Sequence, residues 1–195
     1  MVHLVLDLDE TLVHSDEMRA SDERRMRRAP DYDLGDMQGY YRPGLRAFLA
    51  WAFRTFESVG VWTAGSGDYA ESIIDVVFKQ QKLPLPKYVL SADDCEPKLE
   101  NIGWHRYTRL QYKPLKKLWA LCPELNAANT LVLDDRTDTA CENTSNLLLI
   151  PAFSVRAPDA IGDDYLLRLQ NFIKHNSVAE LSDVRDIDKS TWWIE

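Results

Sequence analysis

Cysteine, basic charge and long apolar runs are all scarce in this chain, and each shortage removes a class of protein. The three cysteines, Cys95, Cys122 and Cys141, are odd in number and widely spaced, with no Cys-x-x-Cys pair. The sequence therefore offers neither a disulfide framework nor a zinc site, and a reducing compartment is expected. No apolar stretch approaches the roughly 20 residues of a membrane span. The N-terminus runs straight into a strand containing Asp7 and Asp9, unlike a signal peptide. These features point to a soluble intracellular protein, cytoplasmic or nuclear, with no membrane partner. Lys and Arg number 23 against 31 Asp and Glu, a formal charge of −8. A general nucleic-acid binder would need a basic face to displace counterions, so that class is set aside, although a local basic groove is not.

With 45% hydrophobic residues in a chain of 195, there is enough apolar material for one sizeable core and not for two full domains. Residues 1–195 are read as a single domain, with a monomer expected. His3-Leu4-Val5-Leu6 reads as a short buried strand, and it runs directly into Asp7-Leu8-Asp9-Glu10-Thr11-Leu12. Side chains two apart on a strand leave on the same side, so Asp7 and Asp9 can converge. Paired carboxylates repel unless a cation neutralises them or one keeps its proton. Phosphoryl transfer uses both outcomes: one carboxylate attacks phosphorus beside a divalent metal, and the other serves as general acid and then general base. Acidic residues also end strands or open turns, so this motif does not decide alone.

The spacing predicts an alternation of strands and helices. After Arg42-Pro43-Gly44, the residues Leu45, Phe48, Leu49, Ala52 and Phe56 describe an amphipathic helix, and Ser58 to Thr63 a second strand. Ala64-Gly65-Ser66-Gly67 then opens a helix carrying Tyr69, Ile73, Val76 and Val77, with Asp68 and Glu71 as its capping pair. Further strands are expected at Lys87–Ser91, Thr130–Asp134 and Leu147–Ile150. A helix is expected from Pro114 through Leu115, Leu118 and Leu121, and a last one from near Asp163 through Leu166, Leu167, Leu169, Phe172 and Ile173. The pattern implies an α/β fold with a mostly parallel sheet and helices on both faces. Ser15 to Gly39, with Arg19, Arg24, Arg25, Arg27 and Arg28 among acids, reads as a solvated loop or short insertion.

In an open parallel sheet, ligands collect beyond the carboxyl ends of the strands. Three predicted strands end in suitable groups: Asp7, Thr63, and Asp134 with Asp135. Thr63 offers a hydroxyl, and the small residues after it let backbone N–H groups approach a phosphate at a helix N-terminus; Thr63 also suits a plain helix cap. Asp134 and Asp135 are hard oxygen donors of the kind Mg²⁺ takes, or an acidic turn. Lys113, held extended before Pro114, stands at a helix mouth where its ammonium can neutralise phosphate and carboxylates.

The blocks Asp7-Leu8-Asp9-Glu10-Thr11-Leu12-Val13-His14, Arg42-Pro43-Gly44-Leu45, Trp62-Thr63-Ala64-Gly65 leading to Tyr69-Ala70, Lys113, and Leu133-Asp134-Asp135-Arg136 together resemble the haloacid-dehalogenase superfamily. Within it they resemble the phosphatases of the RNA polymerase II carboxy-terminal domain and their small relatives. The resemblance implies a Rossmann-like core with a minimal cap, Mg²⁺ dependence and an aspartyl-phosphate intermediate. It makes Asp7 the nucleophile and a metal ligand, and Asp9 the acid/base, lending its backbone carbonyl to the metal. Thr11 would brace the loop and belong to the phosphate-binding set with Thr63, Ala64 and Lys113. Asp135 would be the direct metal ligand of the acidic pair, with Asp134 acting directly, through water or by pairing with Lys113. Gly65 stands where many relatives have serine, and Ser15 to Gly39 departs from the family pattern.

The intervals between Thr11, Thr63 and Lys113 are short, and core elements consume most of each, so little chain remains for a helical lid. A lidless site closes poorly around a metabolite but admits a phosphorylated side chain on a polypeptide. The expected substrate is a phosphoserine or phosphothreonine protein. Nucleic-acid ends or small phosphometabolites, and a catalytically silent phospho-binding module, are the alternatives; intact Asp7 and Asp9 speak against the last.

Overall fold

The computed structural model describes residues 1–17, 28–103, 106–190 and 192–193, with only the backbone described over 100–103 and 106–110. Its elements run β1 (His3–Leu6), β2 (Val13–Glu17), β3 (Tyr32–Asp33), β4 (Met37–Tyr41), α1 (Leu45–Thr55), β5 (Ser58–Trp62), α2 (Gly67–Ile74), β6 (Val89–Leu90), β7 (Glu96–Gly103), β8 (Arg106–Tyr112), α3 (Leu115–Leu121), β9 (Thr130–Asp134), β10 (Leu147–Leu149) and α4 (Tyr165–His175). The central sheet has the order β10-β9-β1-β5-β6, and every pairing in it is parallel. A parallel sheet is covered on both faces, which is why its strands read as unbroken apolar runs. β1 and β9 are buried at every residue.

Side-chain alternation divides these strands between two cores. Leu4 and Leu6 of β1 pack in the core that holds Phe48 and Leu49 of α1, Ile73 of α2, and Leu166, Leu169 and Ile173 of α4. Val5 and Val132 leave the opposite face, toward Leu115 and Leu118 of α3. Truncating Leu4 or Leu6, neither of which is exposed, to alanine would cost about 2–5 kcal/mol in lost burial and residual cavity. The expected α/β architecture, with helices on both faces, is thus present.

Several local expectations are corrected. Ser15 to Gly39 is not simply a solvated loop, because β2, β4 and β3 form a three-stranded antiparallel sheet in which Val13 pairs with Tyr41 and Gly39 pairs with both Ser15 and Tyr32. Arg19, Arg24, Arg25 and Arg27 lie outside the described residues. Arg28 lies within them: it pairs with Asp31 at 3.0 Å and donates to the Tyr41 carbonyl. β7 and β8, which follow β6 and precede α3 in the chain, pair as antiparallel strands. The cap of α2 is not Asp68 with Glu71 but Ser66, whose extended backbone lets its Oγ accept the Tyr69 N–H at 3.3 Å. Pro114 caps α3 from outside instead of opening it, and Leu167, expected among the apolar positions of α4, is 58% exposed.

Candidate active site

Parallel strands point one way, so the carboxyl ends of β1, β5 and β9 collect at one edge of the sheet. Leu6 stands beside Leu133, and the Asp7 N–H donates to the Leu133 carbonyl at 2.9 Å. One residue further on, Asp7 and Asp134 continue the alternation of Val5 and Val132 and leave toward α3. Lys113, two residues before α3, is tied there by its N–H to the Thr139 carbonyl at 2.7 Å. Its Nζ lies 2.6 Å from Asp7 Oδ1 and 2.6 Å from Asp134 Oδ2, and all three side chains are buried.

The site holds more negative than positive charge. Asp7, Asp134 and Asp135 each present a carboxylate oxygen within 4.8 Å of the others, against the one ammonium of Lys113. Burial raises the Asp7 pKa to about 7, with Lys113 pulling it down and Asp134 pushing it up. Burial likewise raises Asp135 to about 6, with Asp134 and Glu10 adding to the effect. Burial works against the Lys113 charge, but Asp7 and Asp134 together hold its pKa above the ordinary lysine value. An uncompensated cluster of hard oxygen donors fits a divalent cation such as Mg²⁺. Asp134 has one oxygen on Lys113 and the other on the Arg136 N–H at 2.9 Å, whereas Asp7 has Lys113 on Oδ1 alone.

The loop after β1 is a tight turn. The N–H groups of Leu12 and Val13 both donate to the Leu8 carbonyl, at 2.8 and 3.0 Å, and Glu10 takes a left-handed backbone with φ of 59°. Thr11 is fully buried; its hydroxyl donates to Asp135 Oδ1 at 3.3 Å and accepts the Asp135 N–H at 3.1 Å, so it joins the loop to the end of β9. Asp9 receives the Tyr69 hydroxyl on Oδ1 and the Thr63 hydroxyl on Oδ2, the latter at 3.4 Å. Burial raises its pKa, and these two hydrogen bonds oppose the rise. Thr63 Oγ1 also accepts the Gly65 N–H at 3.0 Å, and Ala64 sits half-buried in the turn between them.

All eight residues expected at the site therefore stand along one edge of the sheet, with Thr11 turned to Asp135. Two residues in contact with them were not assigned any role from sequence. Tyr69 reads as part of a helix stripe, yet its hydroxyl reaches Asp9. Arg42, seen as part of a turn motif and of one block of the resemblance but given no role, is buried and bonds Asp163 twice, at 2.9 Å each, the Thr11 carbonyl at 3.0 Å and the Pro151 carbonyl at 2.8 Å. Its place before a glycine turn, in one of the blocks of the resemblance, was the signal available.

A parallel αβα sandwich with Asp-x-Asp after its central strand, a lysine before a later helix and an acidic pair ending the next strand defines the haloacid-dehalogenase class of phosphatase. The profile of the NLI interacting factor-like phosphatases matches residues 2–185, and the chain belongs to that family. It is similar to a CTD phosphatase-like protein, 355R, of Invertebrate iridescent virus 3, with 27% identity over 182 residues that cover 88% of this chain and 94% of the viral one. Its fold resembles the structure of Fcp1, an essential RNA polymerase II CTD phosphatase, with TM-score 0.54 and 16% identity over 96% of this chain. The fission yeast RNA polymerase II CTD phosphatase Fcp1 bound to beryllium fluoride gives TM-score 0.51 and 19% identity, again over 96% of this chain. The chain spans 58% and 59% of the length of those two structures.

Proposed function

We propose that this protein hydrolyses phosphomonoesters on serine or threonine side chains of polypeptides through a phospho-Asp7 intermediate. The observation that carries this reading is the buried convergence of Asp7 with Asp134, Asp135 and Lys113 at one sheet edge. Lys113 fixes Asp7 Oδ1, leaving Oδ2 as the attacking atom. When Oδ2 bonds to phosphorus the ester oxygen leaves, and Asp9 gives it a proton; Asp9 then takes a proton from the water that cleaves the acyl phosphate. Thr63, the backbone at Ala64 and Lys113 would hold the phosphate oxygens, and Thr11 would keep the nucleophile loop against Asp135. Asp7, Asp135 and the Asp9 carbonyl would hold Mg²⁺, which supplies charge neutralisation between the carboxylates and the phosphate. Asp134, with both oxygens engaged, would act by orienting Lys113.

A polypeptide substrate is favoured because, among the described residues, the chain between Thr11 and Thr63 adds an antiparallel sheet and that between Thr63 and Lys113 a hairpin, with no helical lid in either. Turnover of a panel of phosphopeptides and phosphometabolites, with Mg²⁺ and after chelation, tests the reading. Phosphoserine or phosphothreonine peptides should be preferred, and Asp7→Asn should eliminate turnover in a folded protein. Preference for sugar phosphates or nucleotide ends would overturn the substrate class, and turnover by Asp7→Asn would overturn the covalent mechanism.

A further inference from the structure

Asp9 is joined to the antiparallel sheet by a run of hydroxyls. Tyr69 O–H donates to Asp9 Oδ1, Ser15 Oγ lies 2.8 Å from the Tyr69 oxygen, and Tyr32 O lies 3.0 Å from Ser15 Oγ. A hydroxyl has one proton to give. Because Tyr69 gives its proton to Asp9, Ser15 must donate to Tyr69, and Tyr32 must donate to Ser15. The run is thus directed and ends on a carboxylate, an arrangement in which each bond polarises the next. It reaches from β3 through β2 to the start of α2 and joins three segments distant in sequence.

Two glycines make room for the two tyrosines. A Cβ on Gly65 would fall 2.7 Å from the Tyr69 ring, and a Cβ on Gly39 would fall 1.8 Å from the Tyr32 ring. No real Cβ comes so close, so any side chain at either position forces a ring to move. The bare backbone at Gly65 thus lets Tyr69 lie inward.

We propose that Tyr69 is a positioning residue for the acid/base Asp9, and that Ser15 and Tyr32 of the antiparallel sheet hold Tyr69 in place. The proposal rests on the acid/base assignment of Asp9 made above. With Oδ1 occupied by Tyr69, the oxygen that exchanges a proton with the leaving group is Oδ2, which faces Thr63 on the phosphate side. Ser15 of β2 and Tyr32 of β3 then act on catalysis from behind Asp9. General acids work only within hydrogen-bond reach of the atom they protonate, so loosening Asp9 should slow esters that need protonation and spare those that do not.

The test compares Tyr69→Phe, Ser15→Ala and Gly65→Ala with the native protein and with Asp9→Asn, using single-turnover cleavage of a phosphoserine peptide and of p-nitrophenyl phosphate. Tyr69→Phe should slow the peptide by about tenfold or more while changing the activated aryl ester by less than about threefold, with little change in KM. Gly65→Ala should give the same selective loss although it removes no hydrogen-bonding group. Ser15→Ala should give a smaller one that is not additive with Tyr69→Phe. If Asp9→Asn slows both esters equally, the acid/base reading of Asp9 fails. If Asp9→Asn discriminates between the esters and Tyr69→Phe does not, the positioning role fails and the hydroxyl run is only packing.

Discussion

At the scale of single residues, the burial of Lys113 between Asp7 and Asp134 sets the strongest expectations. Lys113→Met should abolish turnover and destabilise the fold by about 3–5 kcal/mol, because it leaves two buried carboxylates without their cation. The loss should be largest at high pH. The folded Asp7 pKa is already raised to about 7, so between its unfolded value and 7 the folded state holds the extra proton, and stability falls as pH rises through that window. Removing Lys113 widens the window upward. Urea midpoints of native and variant protein at pH 5.5 and pH 8 would check this, and an equal deficit at both would contradict it. A divalent ion held there would obey the same linkage, since it would compete with protons on Asp7 and on Asp135, whose pKa is raised to about 6. Mg²⁺ should therefore raise the melting temperature more at pH 8 than at pH 5.5, and Asp135→Ala should remove most of that shift. An undiminished shift in Asp135→Ala would transfer the ligand role to Asp134.

At the scale of elements, Arg42 ties three pieces together: the loop after β1 through Thr11, the chain after β10 through Pro151, and the approach to α4 through Asp163. Arg42→Met should cost about 3–5 kcal/mol, because Asp163 and two carbonyls lose a buried partner at once, and Arg42→Lys should recover only part of it because an ammonium lacks the fork. Equilibrium urea denaturation measures both. The parallel strands were legible in the sequence because burial on both faces turns them into apolar runs, and β1 and β9 match their expected bounds. The antiparallel sheet was not, since Val13–Glu17 and Met37–Tyr41 mix polar residues with apolar ones and are only partly buried. The β7–β8 pair escaped because its strands carry Glu96, Lys98, Arg109 and Gln111 and have no apolar run. Among site residues, strand ends marked Asp7, Thr63 and Asp134. Tyr69 stood in a helix stripe and in a block of the resemblance, but nothing local tied it to Asp9, since that contact crosses 60 residues and passes a position with no side chain at Gly65.

On the scale of the whole molecule, charge and topology matter. A protein of formal charge −8 repels a phosphorylated peptide, and salt screens that repulsion over a Debye length of about 10 Å at 0.1 M. The kcat/KM for an acidic phosphopeptide should therefore rise with ionic strength. A fall instead would show that local arginines steer the substrate, and neutralising Arg24, Arg25, Arg27 and Arg28 should then abolish the fall while sparing p-nitrophenyl phosphate. The central position of β1 has another consequence, in the time order of folding. The loop after β1 is made well before its partners: Lys113 is 106 residues from Asp7, and Asp135 is 124 from Thr11. Closing such loops is entropically costly and slow, so β1 stays an unpaired apolar strand until β5 and then β9 emerge. A nascent chain lacking β9 has no acidic pair to oppose Asp7 and no strand on that side of β1, which makes the growing protein both inert toward phosphate esters and dependent on protection from aggregation until β9 is made.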